Sequence, residues 1–346
     1  MRHVPALDGL RAIAVLAVVA FHARQSSIGS GGFLGVDVFF VLSGYLITSI
    51  LCSEFEKTGK VETYRFYWRR FLRLAPALLF YLTAYLAFAP SVWPEYGRTA
   101  HIRDAAIAAT YFSDYAFALW GMPANLDHTW SLAVEEHFYL LWPLVLPAIL
   151  RSRNPARLVL LLYLAGALWR GANLLHDWQL GYYRFDTRFA GILAGSWLAL
   201  LLRQQPEILR QRIPTSAIWL AALTISAMAL TQSWNELGAK TIAMPFVECA
   251  TVLLILAIVQ YQAEAKNGLL RMLEWQPLCR IGTLSYGIYL WHFPLARVLR
   301  DKLPFIQEFL LCLIISTVMA WISWHTVERL GRLAKDRVRV RGPLPA

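Results

Sequence analysis

Charged residues are scarce. Asp, Glu, Lys and Arg make up 16% of the 346 residues, against about a quarter in an ordinary soluble domain. The sparse charge leaves almost nothing from which to build a second, soluble domain. Cysteine is scarce too. Its four residues, Cys52, Cys249, Cys279 and Cys312, lie scattered in or beside apolar runs, with no CxxC pair and no Cys/His cluster. That spacing predicts neither disulfides nor a zinc site, and no metal is expected. No internal repeat stands out, so a repeat-built transporter gains no support. The first apolar stretch follows "MRHVPALDGLRA" and lacks a small-residue cleavage site before the next apolar run. It reads as a retained first helix rather than a cleaved leader.

What the chain has in abundance is apolar sequence. It is 58% hydrophobic with 14 Trp, and its mean hydropathy is +0.46. Several runs approach the roughly 20 residues that span a bilayer. The expected fold class is therefore all-α, a polytopic membrane helical bundle forming a single membrane-embedded domain over 1–346, with 327–346 a basic cytoplasmic tail. Apolar segments fall at about 10–25, 33–52, 74–92, 104–120, 131–150, 157–172, 188–203, 214–231, 241–261, 282–300 and 304–325. Segment 104–120, "DAAIAATYFSDYAFALW", is the weakest, with two Asp, a Ser and a Thr.

Basic residues decide the count. If 104–120 does not span and the N-terminus lies inside, the loop over 57–73, "RSRNPAR", "RQQPEILRQR", "KNGLLRMLEW" and the tail "RLGRLAKDRVRVRG" all face the cytoplasm. Counting it as a span sends two of these outside, against the positive-inside bias. The sequence thus predicts ten spans, both termini inside, and 93–130 outside as a partly embedded loop. The net charge of +11 is accounted for by these loops. No nucleic acid is expected; the bilayer is the partner, in a multi-pass protein of the cell (inner) membrane.

On this topology the polar residues that a bilayer disfavours gather at one end. His22 lies near the outer end of the first span. Asp37 lies in "GVDVFFVLSGYLI", Glu135 and Glu136 in "TWSLAVEEHFYLLWP", Arg184, Asp186 and Arg188 in "YRFDTRFAGILAG", and His292 in "LSYGIYLWHFPL". A charged group at mid-bilayer costs about 2.5–3.5 kcal/mol on insertion scales, so each needs a partner or a water-filled cavity. A shared depth favours a cavity over unrelated ion pairs. On the inner side, "YRFYWRRFLRLAP" places Arg65, Arg69, Arg70 and Arg73 at a helix start. Arg69 and Arg70 stand four and three residues before Arg73, so all three share a face. Guanidinium groups there suit phosphate oxygens, although simple anchoring in the headgroups explains them as well. Arg11 and His22 are eleven residues apart, which returns to nearly the same helix face, roughly 16 Å along the axis.

Together, "RHVPALDGLRAIAVLAVVAFHA", "GGFLGVDVFFVLSGYLIT", "FYWRRFLRLAP", "HTWSLAVEEHFYLLWP" and "LSYGIYLWHFPL" resemble the acyltransferase-3 family of integral membrane O-acyltransferases, in the family's order and over nearly the whole chain. The resemblance implies transfer of an acyl group, often acetyl from acetyl-CoA, to a hydroxyl of an extracytoplasmic glycan or another secreted acceptor. The acyl-CoA enters as donor substrate. The family's R-x(10)-H falls on Arg11 and His22, and that histidine is regarded as catalytic. The R-x-x-R associated with the acyl-CoA donor falls on Arg70 and Arg73, with Arg69 beside them. The S-L-x-x-E-x-x-F-Y element falls on Ser131, Leu132, Glu135, Phe138 and Tyr139, which favours Glu135 over Glu136. His137 departs from the Gln of many members. The short tail resembles the stand-alone type without an SGNH esterase-like domain.

Acyl transfer to a hydroxyl needs a base, a polarised thioester and a stabilised oxyanion. His22 is the expected base, since its pKa of about 6.5 leaves it able to accept a proton. Asp37 or Glu135 is expected to orient it. Arg188, with Tyr45 or His292, is expected to face substrate or the developing oxyanion. The donor arm either threads along the Arg11–His22 stripe, the favoured route, or the acyl group is relayed as acyl-histidine. A transporter or flippase for a lipid-linked or acyl-bearing substrate also accounts for intramembrane charge, but not for the arginine cluster. A purely structural subunit leaves the one-sided polar set unexplained. The carbohydrate acceptor is not specified by these residues. "GYYRFDTRFAG" and Trp93, Tyr96, Tyr111, Trp120 and Trp130 can offer aromatic faces to a sugar or form an interfacial belt, the commoner use.

Overall fold

A computed structural model of the protein describes residues 3–23, 30–261, 268–300 and 302–340, with the backbone alone at 239 and 335–340. Among the described residues there is no strand. The helices are α1 (Pro5–His22), α2 (Gly35–Thr58), α3 (Thr63–Val92), α4 (Gly97–Ala109), α5 (Ser113–Trp120), α6 (Trp130–Leu150), α7 (Pro155–His176), α8 (Trp178–Tyr183), α9 (Phe185–Gln204), α10 (Thr215–Thr231), α11 (Leu237–Thr241), α12 (Ala243–Gln260), α13 (Gly268–Leu273), α14 (Gln276–Thr283), α15 (Ser285–Leu299), α16 (Phe305–His325) and α17 (Val327–Val340).

Local chemistry sets several starts. Pro5 and Pro155 occupy first-turn positions, where a missing N–H costs nothing. Asn154 and Asp177 accept the leading backbone N–H groups of α7 and α8.

The chain is an all-α polytopic membrane bundle. Eight regions, built on α1, α2, α3, α6, α7, α9, α12 and α16, are long and apolar enough to cross a bilayer. The other two expected segments coincide with α10 and α15, of 17 and 15 residues. At 1.5 Å per residue these fall short of the roughly 30 Å hydrocarbon core. Segment 104–120 is divided between α4 and α5 by a turn at Tyr111, whose φ is 53°. Its polar residues fold inward: Asp104 accepts the Asn125 N–H at 3.1 Å, and Asp114 accepts that of Phe185 at 3.2 Å.

α2 and α9 form the centre and α7 and α16 the rim: their apolar windows are 72% and 22% buried, respectively. Gly44 and Gly195 let the two central backbones touch. A Cβ at Gly44 would sit 1.8 Å from the Ile192 carbonyl oxygen, and one at Gly195 1.8 Å from that of Val41. Small residues at a crossing are how helices approach closely where lipid offers no hydrophobic drive.

Two buried ion pairs tie the centre together. Arg170 on α7 grips Glu248 on α12 with both guanidinium nitrogens, at 2.5 and 3.0 Å, and Tyr163 donates to the same carboxylate at 3.1 Å. Asp37 on α2 meets Arg188 on α9 at 3.0 Å, both fully buried. The basic segment after 326 is helical through Val340. It packs on α3, where a Cβ at Gly331 would meet the Leu72 carbonyl oxygen at 2.2 Å. Residues 341–346 of the expected tail, and 266–267 of "KNGLLRMLEW", lie outside the described residues.

Candidate active site

Two cavities enter the bundle and share a wall. The first, about 240 Å³, opens between α1, α2, α3, α6, α14 and α15. Arg11, Arg70 and Arg73 line it together, so the two motifs that supply them converge on one space. Arg11 is held by Asp8 at 3.1 Å, and Asp8 also meets His3 at 2.6 Å. The Arg70 guanidinium lies 3.7 Å over the Tyr139 ring. Tyr139 donates to Ser43 at 3.0 Å, and Ser43 donates to Glu135 at 2.5 Å. The adjacent Glu136 faces a different cleft, beside Tyr111 and Leu140, so geometry also separates the two glutamates. Arg69 is half-buried on α3 and lines neither cavity.

The second cavity, about 340 Å³, holds His22, Asp127, His128, Arg297 and Arg300 among the rings of Trp130, Tyr182, Tyr183, Trp234 and Phe293. Trp130, Tyr182 and Tyr183 therefore turn inward rather than forming an interfacial belt, whereas Trp120 is exposed. Arg297 is braced by the Ala124 carbonyl at 2.7 Å and the Tyr96 hydroxyl at 3.2 Å.

The hydrogen bonds of His292 and His22 determine a tautomer. His292 Nδ1 lies 2.6 Å from the Tyr289 carbonyl, which can only accept, so Nδ1 carries the proton and Nε2 is an acceptor. His22 Nδ1 lies 2.9 Å from the Val18 carbonyl and 3.2 Å from His292 Nε2. Both neighbours accept, so His22 Nδ1 carries its proton and the neutral ring has its lone pair on Nε2. A carbonyl and an imidazole thus fix the ring. Asp37 and Glu135, the carboxylates expected to orient it, are engaged elsewhere, with Arg188 and Ser43.

Arg188 also departs from its expected position. It lies behind the wall of the second cavity, within 5.4 Å of the ring centres of Phe40, Trp130 and Tyr182, with Nη1 2.6 Å from the Met244 sulfur. Tyr45 is buried where α2 meets α9 at Gly195 and lines neither cavity. Ser131 lines the first cavity, and His292 is buried behind His22. His137 reaches Asp114 of α5 at 3.2 Å, away from both cavities.

Val36 and Tyr289 line both spaces. The Tyr289 hydroxyl donates to the His128 carbonyl at 2.7 Å and accepts from Ser131 at 2.6 Å, which latches the ring across the boundary. Tyr289, His128 and Ser43 were not anticipated as site residues, although all three lie inside or beside the recognised motifs. Arg297 and Arg300 look like helix-end charges in the sequence and carry no signal that they face a cavity.

The family model described as "Acyltransferase domain", that of the acyltransferase-3 family, matches residues 4–325. The chain is 34% identical over 357 residues to the peptidoglycan O-acetyltransferase OatA of Listeria monocytogenes, covering 94% of this chain and 55% of that protein. It is 33% identical over 359 residues to the O-acetyltransferase OatA of Staphylococcus aureus, covering 94% and 57%. It is 33% identical over 362 residues to the putative peptidoglycan O-acetyltransferase YrhL of Bacillus subtilis, covering 95% and 55%. The chain thus spans little more than half the length of the curated relatives it matches. No solved structure matches it. With the motifs in order, the arginine and histidine cavities back to back, and the family match running from the first helix to the end of α16, the chain belongs to the acyltransferase-3 family.

Proposed function

We propose that the chain is an O-acetyltransferase that binds acetyl-CoA from the cytoplasm in the arginine cavity and passes the acetyl group to a hydroxyl of a peptidoglycan-type glycan on the outer face of the cell membrane. The observation that carries this reading is the pair of cavities meeting at Val36 and Tyr289, one with three arginines and the other with His22. The names of the relatives support the choice of acetyl group and glycan.

Arg11, Arg70 and Arg73 suit the phosphates of CoA, because guanidinium forks make strong charge-assisted hydrogen bonds to phosphate. The pantetheine arm then reaches past Tyr289 toward His22. In the transfer step, His22 Nε2 takes the proton of the acceptor hydroxyl as its oxygen attacks the thioester carbonyl. The C–S bond breaks, and the departing thiolate receives that proton from the imidazolium. The Ser131 and Tyr289 hydroxyls stand at the boundary where the carbonyl must pass. The shared boundary at Val36 and Tyr289 supports threading of the arm over an acyl-histidine relay.

The test is release of free CoA by the purified protein from acetyl-CoA, with and without soluble glycan strands. Release should depend on the strands. The double variant Arg70→Ala/Arg73→Ala should raise the donor KM about 10²-fold, since a hydrogen bond to a charged group contributes about 1.5–3 kcal/mol. An unchanged donor KM would return both arginines to membrane anchoring.

A further inference from the structure

The second cavity contains polar atoms that the transfer step leaves unused. His128 is 2% exposed, yet among the described residues neither ring nitrogen has a hydrogen-bond partner. The Leu290 backbone lies alongside it, outside hydrogen-bond geometry. Asp127 Oδ1 likewise has no hydrogen-bond partner among the described residues, and both residues line the cavity. The imidazole stacks on Phe293, with centroids 4.7 Å apart and planes at 20°. Phe293 also meets the His22 ring edge-on at 5.1 Å. His22 and His128 thus flank one aromatic ring within one space.

Stacking alone does not require a histidine at 128. A phenylalanine would stack on Phe293 without the cost of burying two unpaired polar atoms, about 1–3 kcal/mol each. The pattern instead fits a ligand group. A neutral imidazole offers one N–H donor and one lone pair, and the neighbouring carboxylate oxygen only accepts. A secondary amide is the complement: its C=O accepts from His128, its N–H donates to Asp127, and its methyl rests against the aromatic wall.

We propose that His128 and Asp127 form a subsite for the acetamido group of an N-acetylated amino sugar, which places a hydroxyl of the same acceptor beside His22. The proposal rests on the reading of the second cavity as the acceptor site. It makes His128 a specificity-determining residue, distinct from the base.

The test is competition during transfer to soluble glycan strands. Chitotetraose carries an acetamido group on every ring, and cellotetraose has the same linkages with hydroxyls instead. For wild type, the inhibition constant of chitotetraose should be about tenfold lower than that of cellotetraose, the scale of one such hydrogen-bonded contact. His128→Phe, which keeps the stack, should bring the ratio close to one and leave the donor KM unchanged. His128→Gln, which retains a donor and an acceptor, should keep part of it. Equal inhibition of wild type by the two sugars would overturn the subsite. So would an undiminished preference in His128→Phe, or loss of donor binding in both variants. Absence of wild-type transfer to the strands would instead remove the acceptor reading itself, and the subsite with it.

Discussion

His22→Ala is expected to lower the transfer rate by about 10²–10⁴-fold, the usual worth of a positioned general base. The donor KM should scarcely change. Arg11, Arg70 and Arg73, the proposed phosphate ligands, line a separate cavity, and the substitution removes nothing from it. The effect is large because the surroundings select one nitrogen: the Val18 carbonyl and His292 commit Nδ1 to donating, which leaves Nε2 as the proposed base. Steady-state kinetics with separately varied donor and acceptor will check this. Equal rates for wild type and His22→Ala would remove His22 from the chemistry. A labelled acetyl group recovered covalently on His22 would replace threading by a relay.

The second large effect is on stability. Glu248→Ala should destabilise the bundle by about 3–5 kcal/mol, because Arg170 would keep its charge at a buried position without the carboxylate that pairs with it. Tyr163 would lose its acceptor as well. Replacing both partners, as Arg170→Met/Glu248→Met, should recover most of the loss, since an apolar pair of similar volume carries no desolvation cost. Thermal unfolding in detergent reads both variants. A double variant as unstable as Glu248→Ala would mean that side-chain shape, not charge, sets the cost.

Neither member of that pair was singled out from the sequence. Arg170 sits in "LWRGAN" and Glu248 in "FVECAT", 78 residues apart, and only the packing of α7 and α12 on α9 brings them together. A lone charge in an apolar run shows that a partner exists but not which one. The same limit explains Asp37. Its depth matches that of His22, but depth along a span says nothing of which face it occupies, and its face turns to α9 and Arg188. Where two polar residues lie on one helix, the sequence fixes their relation. Arg11 and His22 share a stripe by the helical repeat, and they line the two cavities that meet at Tyr289. The bundle itself was legible for a similar reason, since a bilayer imposes length and composition on each span. Lengths at the margin were less so: α10 and α15 are shorter than the apolar runs that announced them. Tyr289 and His128 escaped notice because aromatic and imidazole groups within motifs serve packing as readily as chemistry. The unpaired nitrogens of His128 become apparent only once its neighbours are in place.

The proposed activity requires one chain to take acetyl from one side of a membrane and deliver it to the other. It is tested most directly with the protein reconstituted in sealed vesicles, glycan strands enclosed and radiolabelled acetyl-CoA added outside. Ester-linked label is expected on the enclosed strands while the vesicles remain intact, and none with His22→Ala. Label that reaches the strands only after detergent opens the vesicles would show that donor and acceptor meet on one side, and would contradict it.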